Sequence, residues 1–163
     1  MIDTALVINK MIEYYQNDAK RINHFLKVFS FCKAIGCGEK LDEETQYTVE
    51  LSGIVHDIGI KISEEKYGSS AGKYQELEGP ALAEKLLRQL NVENNIIERV
   101  CFLVGHHHTY NKVDGIDYQI LIEADFLVNA YEDNLSNSAI LNTKNKIFKT
   151  KTGTNILKQL YGI

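Results

Sequence analysis

Proline is nearly absent, Pro80 being the only one among 163 residues. With so few rings to remove backbone donors, long helices are permitted almost everywhere. Cysteine is also scarce, and the three present (Cys32, Cys37 and Cys101) are an odd number. Their spacings fit neither a zinc ribbon nor a Cys-x-x-Cys redox pair, which excludes a disulfide framework and leaves reduced thiols in a cytoplasmic protein as the expectation. An excess of positive charge is missing: 18 Lys and Arg stand against 22 Asp and Glu, for a formal net charge of -4. Proteins that coat a phosphate backbone cluster their cations, so a nucleic-acid polymer is not an expected partner. A small phosphorylated ligand needs only a few local cations. Long apolar runs are lacking too. The most apolar stretch, 120–130, is broken by Glu123, Asp125 and Asn129 and is too short for a bilayer, so no membrane partner is expected. The opening Met1-Ile2-Asp3 lacks the charged and apolar regions of a signal peptide.

What is present is the balance of a globular protein, 44% hydrophobic and 25% charged, sized for one domain over 1–163. Apolar residues recur every three or four positions. A first helix spans 2–16, with Ile8, Met11, Ile12 and Tyr15 on one face. Asp18 is placed as an N-cap of a second, ending at Gly36 where Gly-Cys-Gly stops it. Asp42 caps a third, whose inward stripe is Tyr47, Leu51, Ile54, Val55 and Ile58. From Gly59 to Gly79 the periodicity fades into Gly, Ser, Lys and Glu, a long exposed loop by this reading. Pro80 suits a first helical position, leading Leu82, Leu86, Leu87 and Leu90. Further helices are expected at 93–107 and 118–134, and one or two shorter ones close the chain. The fold class is therefore all-α, one compact bundle of about six to eight helices.

Several polar residues sit where such helices are apolar. Asp125 lies among Leu121, Ile122 and Val128, and a lone carboxylate in a core must be paired, protonated or bound to a cation. His56-Asp57 ends an apolar helix just before Gly59, and His24 lies among Ile22, Phe25, Leu26 and Val28. Singly, these are a buried salt bridge, a solvated helix end and a core histidine. Together, two imidazoles and two carboxylates make sense at one divalent cation, with mixed nitrogen and oxygen donors leaving positions open for chemistry. His106-His107-His108 ends the fifth helix, and three consecutive histidines are unusual in an ordinary domain. Lys73 and Tyr74 are candidates for phosphate or base contact, with exposed loop residues as the alternative. Arg21, one turn from His24, could hold a phosphate or form a structural salt bridge. Gly68-Ser-Ser-Ala-Gly72-Lys73-Tyr74 is not a Walker loop: it has three residues between its glycines, ends in Tyr and follows no strand. It is better taken as a glycine-hinged lid.

The order of a lone His, then His-Asp, then a distant Asp resembles the HD-domain metal phosphohydrolases. Asp18-Ala-Lys-Arg-Ile-Asn-His24 is similar to that family's first ligand helix, Leu51-Ser-Gly-Ile-Val-His-Asp-Ile-Gly59 to its namesake motif, and Glu123-Ala-Asp125-Phe-Leu-Val-Asn129 to its last ligand helix. The likeness is strongest over 18–130. It implies a metal-dependent phosphohydrolase in which His24, His56, Asp57 and Asp125 are ligands and Asp57 is catalytic. It further implies a second ion held by His107 and His108, with Glu78 where the family usually has a histidine; the alternative is one ion, with the histidines binding substrate. Lys61 falls one residue later than the phosphate-contacting lysine of many members and is the corresponding catalytic and substrate-binding candidate. The cofactor implied is one or two divalent ions, Mn, Fe, Co, Ni or Zn rather than Mg alone. The substrate implied is a nucleotide or another small phosphorylated metabolite. The cyclic-dinucleotide phosphodiesterase branch is disfavoured, since Gly115-Ile-Asp-Tyr118 replaces its Gly-Tyr-Pro signature; the small bacterial members similar to diadenosine-tetraphosphate hydrolases are nearer. A silent nucleotide sensor and a di-iron oxygenase are the alternatives, and an oligomer is left open.

Overall fold

A computed structural model describes residues 1–163, and it contains nine α-helices and no strand. The order is α1 (Thr4–Tyr14), α2 (Ala19–Glu39), α3 (Glu43–Val55), α4 (Ile60–Tyr67), α5 (Gly72–Gln89), α6 (Asn94–Val104), α7 (Ile116–Glu132), α8 (Asn137–Ile147) and α9 (Lys151–Tyr161). Helix starts follow the capping chemistry in the sequence: the side chains of Asp3, Asp18, Asp42, Ser136 and Thr150 each accept a first-turn N–H. No helix is long and apolar enough to cross a membrane.

Three expected boundaries differ, each for a packing reason. Helix α2 does not stop at Gly36 but runs to Glu39, closed by Lys40 in the left-handed region (φ 60°). A Cβ on Gly36 or Gly38 would collide with the side chains of Gln46 or Thr152, so these glycines admit neighbours instead of ending the helix. The expected loop over 59–79 is mostly helical, as α4 and the first turns of α5 separated by residues 68–71. Helix α4 is short and buries only Ile60 and Ser63, too little for a periodic signal. Pro80 consequently lies inside α5 instead of opening it. Its missing N–H frees the Glu76 carbonyl at a point where Gly105 packs against the proline ring.

Two apolar cores share the central pair α2–α3. One collects Val7, Met11 and Tyr15 of α1, the Tyr47–Ile58 stripe, and α5 and α6 through Leu87, Ile97 and Val100. The other gathers Val28, Cys32 and Ile35 of α2 with Leu121, Leu127 and Val128 of α7, closed by Ile140 and Leu157. Helix α3 reaches α2 closely because Gly53 lies 3.1 Å, measured from where a Cβ would sit, from the backbone of Phe29. That approach brings His24 of α2 beside His56 at the end of α3.

Candidate metal centre

Donors from both sides of the bundle converge where the cores meet. His24 Nε2 lies 3.2 Å from His56 Nε2, 3.3 Å from Asp57 Oδ2 and 3.2 Å from Asp125 Oδ1. His56 Nε2 stands 3.4 Å from Asp57 Oδ2 and 3.5 Å from Asp125 Oδ1. The other Asp57 oxygen faces away from this group, 3.4 Å from His107 Nε2. The His56 and His107 side chains are fully buried, and that of Asp57 is 18% exposed. The structure thus brings His24, His56, Asp57, Asp125 and His107 together, and His108 joins Asp57 and His107 as a second group of possible donors.

The partners behind the imidazoles settle which nitrogen carries the proton. His56 Nδ1 faces the Gly53 carbonyl at 3.0 Å and His107 Nδ1 the Val104 carbonyl at 2.9 Å. A carbonyl can only accept, so Nδ1–H donates in both and each Nε2 turns a lone pair inward when the ring is neutral. His24 Nδ1 likewise meets Glu132 Oε2 at 2.9 Å, and Lys27 Nζ lies 2.7 Å from that carboxylate's other oxygen. His107 Nε2 is buried with no hydrogen-bond partner at all. A buried acceptor left unmatched costs about 1–3 kcal/mol, unless something electropositive faces it.

Charges here are balanced by one another and hardly by water. Burial pulls the His56 imidazole down, yet Asp57 and Asp125 outweigh it and hold it well above its ordinary value; His24 is raised by the same carboxylates against the same burial. Burial pushes Asp57 up, and the His56 imidazole above all, with His24, holds it well below the carboxylate range. Asp125 is depressed for the same kind of reason, by His24 and His56. His108 goes the other way, pushed down to about 4 by burial and then by His107, so it is a neutral donor at pH 7.

This donor set fits a divalent cation. Around an ion with bonds of about 2.0–2.2 Å, tetrahedral neighbours stand about 3.3–3.6 Å apart, the spacing of the inward Nε2 and carboxylate atoms. A cation would also satisfy the orphaned His107 nitrogen and supply the positive charge that Asp57 and Asp125 require.

The remaining expected residues divide. Arg21 lies at the wall of the cavity over the centre, where it is clamped between Asp18 and Glu64. Glu78 does not reach the centre: its carboxylate is engaged by Lys66 Nζ at 2.8 Å and Tyr67 OH at 2.7 Å. Gln75, one turn earlier on α5, is the residue that faces His108, at 3.3 Å. The register was mistaken because α5 begins eight residues before Pro80, not at it. Lys61 is exposed on α4 with its ammonium over the Tyr14 ring, and Lys73 is exposed with its ammonium over Tyr74. Tyr74 stacks on Tyr67 at 4.2 Å. None of these three lines the cavity. His106 turns away to the Phe102 carbonyl and stacks on that ring.

Sequence reasoning missed Glu132, Gln75, Asn129 and Glu76. Asn129 donates to Asp125 Oδ1 at 2.9 Å, one helical turn on, a spacing that could have been noticed. Glu76 fixes the histidine turn by accepting from the His108 N–H and the Thr109 hydroxyl. Nothing in the local sequence of Gln75, Glu76 or Glu132 announces these contacts.

Fold and centre together define a class: an all-helical protein with a buried histidine–aspartate cluster suited to divalent ions. The HD domain family matches residues 21–141, and the chain belongs to that family. In three dimensions the chain is similar to the crystal structure of a predicted HD superfamily hydrolase from an uncultured Thermotogales bacterium, with a TM-score of 0.69. The two are 19% identical, over 95% of this chain and 83% of the other, a likeness that speaks for the fold. No curated protein sequence matches the chain.

Proposed function

We propose that this protein is a metal-dependent phosphohydrolase that cleaves a phosphate ester or anhydride of a small phosphorylated metabolite. The observation that carries the reading is the set of inward-facing imidazole nitrogens around Asp57, one of them buried without a partner. His24, His56, Asp57 and Asp125 would hold one ion, and Asp57, His107 and His108 a second. The imidazole share of this set favours Mn, Fe, Co, Ni or Zn over Mg alone. Bound ions supply Lewis acidity toward phosphoryl oxygens and lower the pKa of a coordinated water toward neutrality. The chain's own residues orient and enclose. Glu132 fixes the His24 ring, Asn129 fixes Asp125, and Glu76 fixes the turn bearing His107 and His108. Asp57 turns one oxygen to each group of imidazoles, so a single carboxylate couples the two positions. Lys20 at the cavity wall offers positive charge to an incoming phosphate, while Arg21 beside it is held by Asp18 and Glu64.

The test is elemental analysis of the protein purified without chelator, together with phosphate release from p-nitrophenyl phosphate. About one or two ions per chain and metal-dependent release are expected. Asp57→Ala should abolish both while circular dichroism still reports a helical fold. A metal-replete, active Asp57→Ala variant would sink the site assignment. A wild-type chain that binds no ion even after metals are added back would leave a silent nucleotide-binding module as the better reading.

A further inference from the structure

The cavity over the centre is shaped for a particular kind of phosphate ester. Its volume is about 380 Å³, near the lower end of the range for small-molecule sites. Among its wall residues only Ile60 is hydrophobic, and none is Phe, Tyr or Trp. A nucleobase is a flat apolar face with polar edges, and proteins commonly hold it by stacking on aromatic or guanidinium planes. Here the one guanidinium at the wall, Arg21, is already clamped by Asp18 and Glu64. The imidazoles of the wall, His24 and His108, belong to the donor groups, Tyr15 spends its hydroxyl on the Asp57 carbonyl, and Tyr110 lines a separate cleft. Tyr67 and Tyr74 stack on each other outside the cavity, while Tyr131 and Tyr161 line a different groove beyond Lys27.

What the wall offers instead is hydrogen-bonding capacity. Ser70 contributes from one side, Asn129 and Asp133 from the other, while the Gln75 amide is already spent on the Ser70 carbonyl and His108. Asn129 uses its amide N–H on Asp125 and keeps its carbonyl free. Such groups match hydroxyls, each of which donates and accepts. Charge points the same way. Five carboxylates at the wall (Asp18, Asp57, Asp125, Glu132 and Asp133) face two cations, and Lys20 is the one not already engaged by a carboxylate. One or two divalent ions would offset most of that negative charge, leaving room for a single phosphate dianion. A polyphosphate chain would meet repulsion beyond the ions.

We infer that the substrate is a compact, hydroxyl-rich phosphomonoester, a sugar or polyol phosphate, bound by its phosphate at the ions and Lys20 and by its hydroxyls at Ser70, Asn129 and Asp133. This rests on the phosphohydrolase reading and narrows it. In the hydrolysis the phosphorus–oxygen bond to the polyol breaks and one to water oxygen forms. The leaving alkoxide takes up a proton, and the products are the free polyol and inorganic phosphate.

The manganese-loaded full chain is assayed for phosphate release from glucose 6-phosphate, glycerol 3-phosphate, adenosine monophosphate, adenosine triphosphate and p-nitrophenyl phosphate. The expected result is a kcat/KM for a polyol phosphate that exceeds both nucleotides by about tenfold or more. Calorimetric titration should show the same order of affinity without turnover. Asp133→Ala should raise KM for the preferred polyol phosphate severalfold more than for p-nitrophenyl phosphate. If p-nitrophenyl phosphate is cleaved but a nucleotide is preferred, the inference fails and the phosphohydrolase reading survives. An Asp133→Ala effect of equal size on both substrates also counts against the hydroxyl contacts. If no ester is cleaved, not even p-nitrophenyl phosphate, both fall.

Discussion

His24 is held from behind by Glu132 at the end of α7, and Glu132 in turn by Lys27 of α2, so the direction of one imidazole lone pair depends on an ion pair between two helices. Carboxylates that hold the far nitrogen of a ligating histidine set its tautomer and raise its basicity, typically a 10–100-fold effect on metal affinity. Glu132→Ala is therefore expected to weaken metal binding by about 10–100-fold with the helical content unchanged, read by titrating apo-protein with manganese or zinc. Unchanged affinity would reduce Glu132 to a surface ion-pair partner. Thiols differ residue by residue for an equally local reason. Cys101 is pushed up to about 11 by burial and then by Glu84, and fully buried Cys32 is also raised, chiefly by burial. Cys37 is exposed. The thiolate is the reactive form, so one of the three thiols should react promptly with an aromatic disulfide reagent at pH 8 in the native protein, and all three in denaturant.

The helices meet at the centre because particular glycines let them. At Gly59 a Cβ would lie 2.8 Å from the Gln75 carbonyl and 3.0 Å from the Gly79 nitrogen, so the His56-Asp57 turn rests directly on the backbone of α5. Neither contact is with a flexible side chain that could swing aside. Gly59→Ala should cost about 1–3 kcal/mol of stability in denaturant unfolding, the range for overpacking a tight interior. It should also loosen metal binding, because α4 and α5 would have to part where Gln75 faces His108. Helix α3 was legible in advance: Asp42 caps it and the Tyr47–Ile58 stripe is buried as its spacing implied. Helix α1 was legible only roughly. Val7, Met11 and Tyr15 form its buried stripe, while Ile8 is partly buried and Ile12 is 37% exposed. Eight-residue α4 was not legible, since it is held by the elements around it and carries little pattern of its own.

At the scale of the molecule, the centre is the place where two cores leave a polar seam. Five ionisable side chains (His24, His56, Asp57, His107 and Asp125) are brought together there, and for His56, Asp57 and Asp125 the attraction of opposite charges outweighs the cost of leaving water. An ion bound to the folded chain alone stabilises it by mass action, about 2.7 kcal/mol at a hundred times the dissociation constant. For a domain of this size that corresponds to a rise in Tm of about 5–10 °C. Stripping the protein with chelator should lower Tm by that amount, and adding back manganese or zinc should restore it. A Tm indifferent to both would mean that the seam is satisfied without an ion.

Much was determined by the sequence alone. Near-absence of proline with three-to-four-residue apolar spacing decided the helical class, because that pattern is a property of neighbours along the chain. The ordered appearance of His24, His56-Asp57 and Asp125 within apolar helices marked the residues that the fold brings together, because an ionisable side chain on a buried face needs a partner whatever the topology. Tertiary structure alone decided the rest. Glu78 turned to Lys66 and Tyr67, Lys61 and Lys73 turned outward, and Gln75 and Glu132 turned in. A side chain's partner across the bundle depends on which helix faces of α4, α5 and α7 meet. For α4 and α5 that is set by close approaches at Gly59 and Gly79, not by any spacing along the chain.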